Sequence, residues 1–410
     1  MKRPKVLGII MAGGKGERLF PLTKERGKPA VPFGGKYRII DFVMSNFVNS
    51  QILSIYVLVQ YMSQSLIDYL RVAWRNRGLI QDHFITVVPP QMRIGEMWYR
   101  GTADAVAQNL NLIQDFDPDI VMVFGSDHIY RMDIGQMLNY HIDKGADVTV
   151  AALPVALEKA KSFGIIEATK AGRVVGFEEK PKSPKPIPGN EGMAYSSMGN
   201  YVFNRDILEK ILVEDTKRGE SAHDFGKNII PELLGSCKVF AYDFLKADLP
   251  GLKPHEEKGY WRDVGDIESF WSANMDLLGE HPRMDLDNEE WPIYASRYDG
   301  PSARIFGGEC RDAIIGDGSI VRSATVRHSV IGRAVKIHPG AVVEDCVVMD
   351  FTEIGPGARL NRAIVDRFNN IPADTDVGYD QSKDEKRYHV DKSGIVVLSR
   401  GRAKWAHLKR

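Results

Sequence analysis

The stretch Val6-Leu-Gly-Ile-Ile-Met-Ala-Gly-Gly-Lys-Gly-Glu-Arg-Leu19 joins a short apolar run to a turn containing Gly13, Gly14 and Gly16. Glycine tolerates positive φ and has no Cβ, so backbone N–H groups in such a turn can close around an anion. Lys15 and Arg18 add positive charge at the same spot. A strand feeding this turn is either a plain tight turn or a phosphate cradle. It matches neither common template: no Lys-Ser or Lys-Thr follows Gly16, and Leu19 stands where a dinucleotide fingerprint needs its third glycine. From Lys15 to Arg38 seven basic residues face two acids, a local excess of +5 in a chain of net charge zero. Prolines 21, 29 and 32 and Gly34-Gly35 break this segment, which suits a loop aimed at a polyanion better than a regular helix.

Two carboxylates extend the argument. In Phe124-Gly-Ser-Asp-His-Ile-Tyr130, Asp127 ends an apolar strand, where a carboxylate has no packing reason to be. Asp caps helices well, but it is also a hard oxygen ligand for Mg²⁺ beside a triphosphate. Tyr260-Trp-Arg-Asp-Val-Gly265 offers a second such ligand, Asp263. Mg²⁺ characteristically takes one or two carboxylates together with phosphate oxygens and waters. Spacing along the chain leaves open whether the two aspartates meet.

The elements that must hold these residues alternate. Val6–Met11, Ile55–Val59, Ile120–Phe124 and Val148–Leu153 are short apolar runs that read as strands. Between them, Asp104–Phe116 carries Val106, Leu110 and Ile113 at helical spacing. This pattern predicts an α/β domain with a Rossmann-like, mostly parallel sheet over residues 1–290, whose ligands sit beyond the carboxyl ends of the strands. With 410 residues the chain is long for one domain. Fifty-four basic and 54 acidic residues balance, which argues against a nucleic-acid or membrane surface as partner. There is no run long enough to span a bilayer and no signal-peptide core. Cys237, Cys310 and Cys346 lack metal-ligand spacing and read as small buried side chains in a reducing compartment, so a cytoplasmic protein is expected.

Taken together, Ala12-Gly-Gly-Lys-Gly-Glu-Arg-Leu19, Lys28-Pro-Ala30, Gly125-Ser-Asp-His128 and Phe177-Glu-Glu-Lys-Pro181 resemble the sugar-1-phosphate nucleotidyltransferases. Trp98-Tyr-Arg-Gly-Thr-Ala-Asp-Ala-Val106, Ser197-Met-Gly199, Ser221-Ala-His-Asp-Phe225 and Tyr260-Trp-Arg-Asp263 narrow the resemblance to the bacterial glucose-1-phosphate adenylyltransferases. It runs over nearly the whole chain, with the motifs in the family's order. It implies that AMP passes from ATP to α-D-glucose 1-phosphate, giving ADP-glucose and pyrophosphate, the first committed step of bacterial glycogen synthesis, under allosteric control. In that likeness Arg18 steadies the triphosphate, Lys28 lies beside the α-phosphate, and Asp127 and Asp263 hold Mg²⁺. Ala12, Gly13, Gly14, Gly16, Gln60, Trp98, Gly101 and Thr102 match nucleotide-binding positions. Tyr99, Gly164, Glu179, Lys180, Ser197, Tyr201, Asp224 and Trp261 match the sugar-phosphate side. Apart from the resemblance, Trp98 and Tyr99 read as core aromatics and Asp104 as a helix cap. A non-catalytic regulatory subunit, or a transferase for another nucleotide or sugar, are the alternative readings.

From about residue 301 the pattern changes. Aliphatic residues recur every sixth place in the sets Ile315, Val321; Ile331, Ile337, Val343; Val348, Ile354, Leu360; and Val365, Ile371, Val377, with a step of five between the last three sets. Glycine follows at 316, 332, 355 and 378. This hexapeptide repeat predicts a left-handed parallel β-helix over 301–380. His328 and His338 read as surface residues, without the role of an acyltransferase histidine. Residues 381–410 form a basic tail, nine basic against three acidic, for which a solvated end is the default. By resemblance Arg26, Arg38 and Arg400 belong to a cleft for a small-molecule effector, and the chain forms a homotetramer. Glu25, Pro32 and Asp115 depart from relatives activated by fructose 1,6-bisphosphate, which leaves the effector open.

Overall fold

The structure, a computed structural model, describes residues 4–74, 83–93, 95, 97–161 and 163–402. Residues 403–410 of the expected tail lie outside that range. A nine-stranded sheet runs in the order Val174–Glu179, Gly164–Ala168, Met193–Asn204, Ile120–Gly125, Val6–Ala12, Ser54–Val59, Phe84–Val88, with Val148–Ala156 and Val239–Asp243 attached along the free flank of Met193–Asn204. Pairing is parallel around Val6–Ala12. It turns antiparallel at Met193–Asn204, which pairs with Ile120–Gly125 on one flank and Val148–Ala156 on the other. Gly164–Ala168 and Val174–Glu179 are also antiparallel, because the tight turn between them leaves no room for a crossover. The expected parallel sheet is thus the half that carries the glycine turn.

The Val6–Ala12 strand is apolar along its whole length because both its faces are covered. Ile10 packs into one apolar cluster and Leu7 and Ile9 into another on the opposite side. The helix expected over Asp104–Phe116 is two pieces, Thr102–Ala107 and Leu110–Phe116. Asn109 breaks it: its amide donates to the Ala105 carbonyl (2.8 Å) and to the Tyr99 hydroxyl (3.0 Å). Such local bonds compete with the helical ladder. Among the described residues, no helix is long and apolar enough to cross a membrane.

The C-terminal part is a parallel β-helix. Val321, Ile337, Ile354 and Ile371 stack on one face. Val343, Leu360 and Val377 stack on a second, and Ile331, Val348 and Val365 on a third. All are buried. Its corners need left-handed backbone, and most are not glycine: Asp312, His328, Asp345 and Arg362 form one ladder at φ 50°, 41°, 50° and 47°, and Ala334, Phe351 and Phe368 another at 52°, 59° and 62°. His328 pairs with Asp345 (2.6 Å) and His338 with Glu353 (2.9 Å), both partly exposed. Cys346 is buried, whereas Cys237 and Cys310 are only half-buried, and all three are free thiols. The basic stretch after 380 is not simply a solvated end. Val396–Leu398 pairs parallel with Ala363–Val365, because its three buried aliphatics extend the stack.

The two parts share a core. Leu22, Phe33 and Phe270 of the first meet Val347, Met349, Ile364 and Val397 of the second in one apolar cluster. At its edge Arg26 donates to Asp366 at 2.5 Å, both side chains almost fully buried. Arg333 donates to Ser296 Oγ (2.9 Å) and to the Lys36 carbonyl. Removing one partner of a buried ion pair strands the other charge, which costs about 3–5 kcal/mol. Asp366→Ala should therefore lower stability by about that amount in denaturant titration, while Asp366→Asn, which keeps an acceptor, should cost less.

Candidate active site

Asp127 lies between the end of the Ile120–Gly125 strand and the short strand His128–Tyr130. The latter pairs antiparallel with Trp261–Asp263, in a register that sets His128 opposite Asp263. This ribbon brings the two aspartates together. Lys28 joins them from the turn Lys28–Ala30, where Pro29, lacking an N–H, suits the first helical turn. Its ammonium donates to Asp127 Oδ2 at 3.0 Å and to Asp263 Oδ1 at 3.2 Å, and its side chain is 7% exposed. Burial works against the Lys28 charge, but the attraction of Asp127 and Asp263, and hydrogen bonds to both, outweigh it and raise its pKa. Burial likewise opposes the Asp127 charge, and the adjacent His128 and Lys28 overcome it, holding the carboxyl far below the usual carboxylate range. The Asp127 side chain keeps 43% of its surface open, so its neighbours rather than enclosure keep it ionised. Asp127 caps no helix.

Arg18 reaches the same place. A Cβ on Gly265 would lie 2.8 Å from an Arg18 guanidinium nitrogen and 3.0 Å from Asp263 Oδ1. Gly16 has φ 67°, and a Cβ there would also come within 2.9 Å of Lys28 Cβ, so glycine is needed for conformation and for space. Thr23 Oγ1 donates to the Gly16 carbonyl at 2.9 Å. The basic segment therefore divides. Arg18 and Lys28 face this centre, while Arg26 turns toward the β-helix.

The expected nucleotide side forms a belt around the turn. Ala12 closes the strand, Gly13 backs onto Gln60, whose Cβ lies 3.3 Å from where a Cβ on Gly13 would be, and Gly14 is open on its Cβ side. The Gln60 amide accepts from Tyr99 N (2.7 Å) and donates to Tyr99 O (3.3 Å), so it ties down the Trp98–Gly101 segment. Trp98 is 59% exposed and is no core aromatic. Tyr99 is half-buried against the core, with its hydroxyl engaged by Asn109. Gly101 lies against the Ala222 and His223 carbonyls, 2.4 and 2.3 Å from where a Cβ would be. Asp104 sits inside the helix turn and accepts from Arg100 N at 2.8 Å and Gln108 Nε2 at 2.9 Å, which is a structural role.

The residues expected on the sugar side adjoin this belt. Thr102 Oγ1 donates to Asp224 Oδ2 at 3.0 Å, linking the two sides. Asp224 Oδ1 caps the next helical turn by accepting from Gly226 N and Lys227 N, both at 3.0 Å. Tyr201 stacks on Phe225 with ring centroids 5.4 Å apart, and burial raises its hydroxyl pKa against a hydrogen bond with Ser197. Gly164 leaves no room for a Cβ, which would meet Glu179 at 2.8 Å and Phe177 at 3.0 Å. Lys180 is exposed at φ 50°, with its N–H on the Phe163 carbonyl at 3.0 Å. A non-glycine residue in that conformation is strained, as functional residues often are. Trp261 packs on His128 at 4.6 Å and lies 6.0 Å from Phe163.

Asp127, His128 and Asp263 form a compact group whose ligand atoms lie within 4.8 Å of one another. The donor set fits a divalent cation: two carboxylate oxygens already draw in one cationic group, Lys28. His128 Nδ1 and Trp261 Nε1 beside them are buried and have no protein partner. His128 and Phe177 carried no role in the sequence; a histidine directly after a strand-end aspartate was the available signal for the first.

Arg26, Arg38 and Arg400 gather away from this centre. Arg400 pairs with Glu25 at 3.5 Å, and Arg38 lies 4.0 Å over the Tyr69 ring. Burial pushes the Arg38 guanidinium down, and the like charges of Arg367 and Arg26 add to this. Arg26 and Arg400, with Lys24, Glu25 and Asp366, line a cleft between the two parts.

The nucleotidyl transferase family model matches residues 7–280, and a GlmU-like C-terminal hexapeptide model matches residues 302–398. The glucose-1-phosphate adenylyltransferase of Thermodesulfovibrio yellowstonii is 52% identical over 97% of this chain and 96% of its own length. Those of Anaeromyxobacter sp. and Photobacterium profundum are each 46% identical, over 96% and 97% of this chain and 98% of their own lengths. If the carboxylate pair is the reacting centre, Asp127→Asn should lower kcat about a hundredfold or more, with circular dichroism unchanged. An unaltered kcat would remove Asp127 from the chemistry.

Proposed function

Since this chain belongs to the glucose-1-phosphate adenylyltransferases within the nucleotidyl transferase family, we propose that it transfers AMP from ATP to α-D-glucose 1-phosphate, releasing pyrophosphate and forming ADP-glucose. The observation that carries this reading is the convergence of Lys28, Asp127 and Asp263 beside the glycine turn. A phosphate oxygen of the sugar attacks the α-phosphorus of ATP in line with the departing pyrophosphate. Such a transfer asks the protein mainly for positioning and charge neutralisation. Arg18 offers a planar fork to the triphosphate, and Lys28 a compact point charge to the α-phosphate. Lys180 holds the sugar phosphate, while Glu179, Ser197, Tyr201, Asp224 and Trp261 surround the sugar. Gly13, Gly14 and Gly16 lend N–H groups to phosphate oxygens, and Gln60, Trp98, Gly101 and Thr102 flank the base.

The family uses a divalent metal. Asp127 and Asp263 would hold it, as Mg²⁺, and it would offset the repulsion between two anionic reactants. The product points to bacterial glycogen synthesis in the cytoplasm. The cleft lined by Lys24, Arg26 and Arg400 suits a small anionic effector, and Arg38, turned onto Tyr69, does not line it. Two of its cations are already paired with acids, Arg26 with Asp366 and Arg400 with Glu25. The Arg304–Ile315 strand, whose Ile305 and Phe306 are exposed, suits contact between copies in a homotetramer.

Purified protein given ATP or UTP with glucose 1-phosphate and Mg²⁺ should release pyrophosphate and form a sugar nucleotide with ATP alone. Silence with both nucleotides would favour a non-catalytic subunit, and turnover with UTP a different donor. Chelation by EDTA should abolish turnover and excess Mg²⁺ should restore it. Lys180→Ala should raise KM for glucose 1-phosphate about tenfold or more and leave that for ATP nearly unchanged. The same assay across a panel of phosphorylated glycolytic intermediates tests the effector cleft, since an effector acting there must lose its influence in Arg400→Ala.

A further inference from the structure

We infer that a buried pair outside the reacting centre, His223 and Asp215, positions both substrate sides of this site at once. The inference rests on the assignment of Gly101 and Thr102 to the nucleotide and of Asp224 to the sugar. Asp215 lies in the last turn of the helix Arg205–Thr216 and is 4% exposed; His223 is 2% exposed. A carboxylate at a helix C-terminus opposes the helix dipole, and a buried charge is costly without a partner. Stability alone is a poor reason to place one there.

Its partners form a closed ring. His223 Nδ1 lies 2.6 Å from Asp215 Oδ2. An ionised carboxylate only accepts, so Nδ1 carries the hydrogen. Ser221 Oγ donates to Asp215 Oδ1 at 2.6 Å and accepts from the His223 backbone N–H at 3.0 Å. The ring closes around His223 at φ 50°, a left-handed conformation uncommon for residues other than glycine.

What the ring imposes is the direction of one peptide. The His223 carbonyl accepts from Ala103 N at 2.8 Å and Asp104 N at 3.3 Å, at the start of the helix that begins with Thr102. The same carbonyl lies against Gly101. The next residue is Asp224, whose carboxylate takes the Thr102 hydroxyl, while Thr102 Oγ1 accepts from Phe225 N at 3.0 Å. The two sides therefore share one fixed turn. Neither His223 nor Asp215 bonds Lys28, Asp127 or Asp263 among the described residues, so the pair positions groups and does not take part in the chemistry.

The test measures kcat and both KM values in the full-length enzyme with Mg²⁺, for His223→Ala, His223→Asn, Asp215→Ala and the double alanine variant, with melting temperatures alongside. Asparagine places an N–H where Nδ1 stands. His223→Ala should raise KM for glucose 1-phosphate about tenfold, with a smaller rise for ATP and kcat within about threefold of wild type. His223→Asn should recover most of the loss, and the double variant should be no worse than the worse single one. Unchanged KM values in His223→Ala, or a His223→Asn as impaired as His223→Ala at equal melting temperature, would overturn the inference. If the alanine variants do not fold, His223→Asn against His223→Gln decides. Glutamine sets its amide nearer the Nε2 position, and equal KM values for the two would refute the assignment to Nδ1. Wild-type protein that makes no ADP-glucose would instead refute the functional reading, whatever the variants do.

Discussion

An ammonium held between two carboxylates organises the catalytic half of this molecule. Lys28 comes from the loop after the first strand, Asp127 from the end of a neighbouring strand, and Asp263 from a short ribbon much later in the chain. Each group alone would be costly in a half-buried setting. Together they offset that cost: the two aspartates move the Lys28 pKa up, and His128 and Lys28 move that of Asp127 down. A site kept ionised in this way fits the proposed binding of a triphosphate with a divalent cation. The glycine turn lies against it because Gly16 lets the backbone pass within contact of Lys28.

Around this centre the site is a chain of neighbours. Gln60 anchors the segment ending at Gly101, His223 and Ala222 back that glycine, and Thr102 bonds Asp224. Phe177 then packs between Gly164 and Gly226. Residues from different strands are therefore held by short backbone and side-chain bonds, while the Lys180 side chain stays exposed. The β-helix joins the same framework through a continuous apolar cluster and the buried Arg26–Asp366 pair. A ligand in the basic cleft would act on the loop that also carries Arg18 and Lys28.

Much of this was legible in residue order. The first strand and its turn stand where the apolar run and glycines 13, 14 and 16 place them, and the six-residue aliphatic step lines up on three faces as stacked coils. Other features were hidden for physical reasons. Asn109 splits a helix that apolar spacing alone presents as continuous. Trp98 looks like core and is exposed. Two ladders of left-handed corners carry Asp, His, Arg, Ala and Phe, so no glycine marks those. The stretch after 380 looks like a charged tail, yet Val396–Leu398 closes the helix because three aliphatics outweigh the surrounding charge.

By itself, the order of residues determined the classes of element, the repeat of the β-helix and the chemical kinds of group available: hard oxygen ligands, a flexible ammonium, a guanidinium fork and a bare glycine turn. These follow from local properties, periodicity and conformational freedom, that any short window contains. Only the tertiary structure decided which groups meet. Asp127 and Asp263 became a pair through the register of a two-stranded ribbon. Arg26 and Lys28, two residues apart, were turned to different partners, Asp366 of the β-helix and the Asp127–Asp263 pair. Charge pairing acts through space, and the distance along a chain does not encode it.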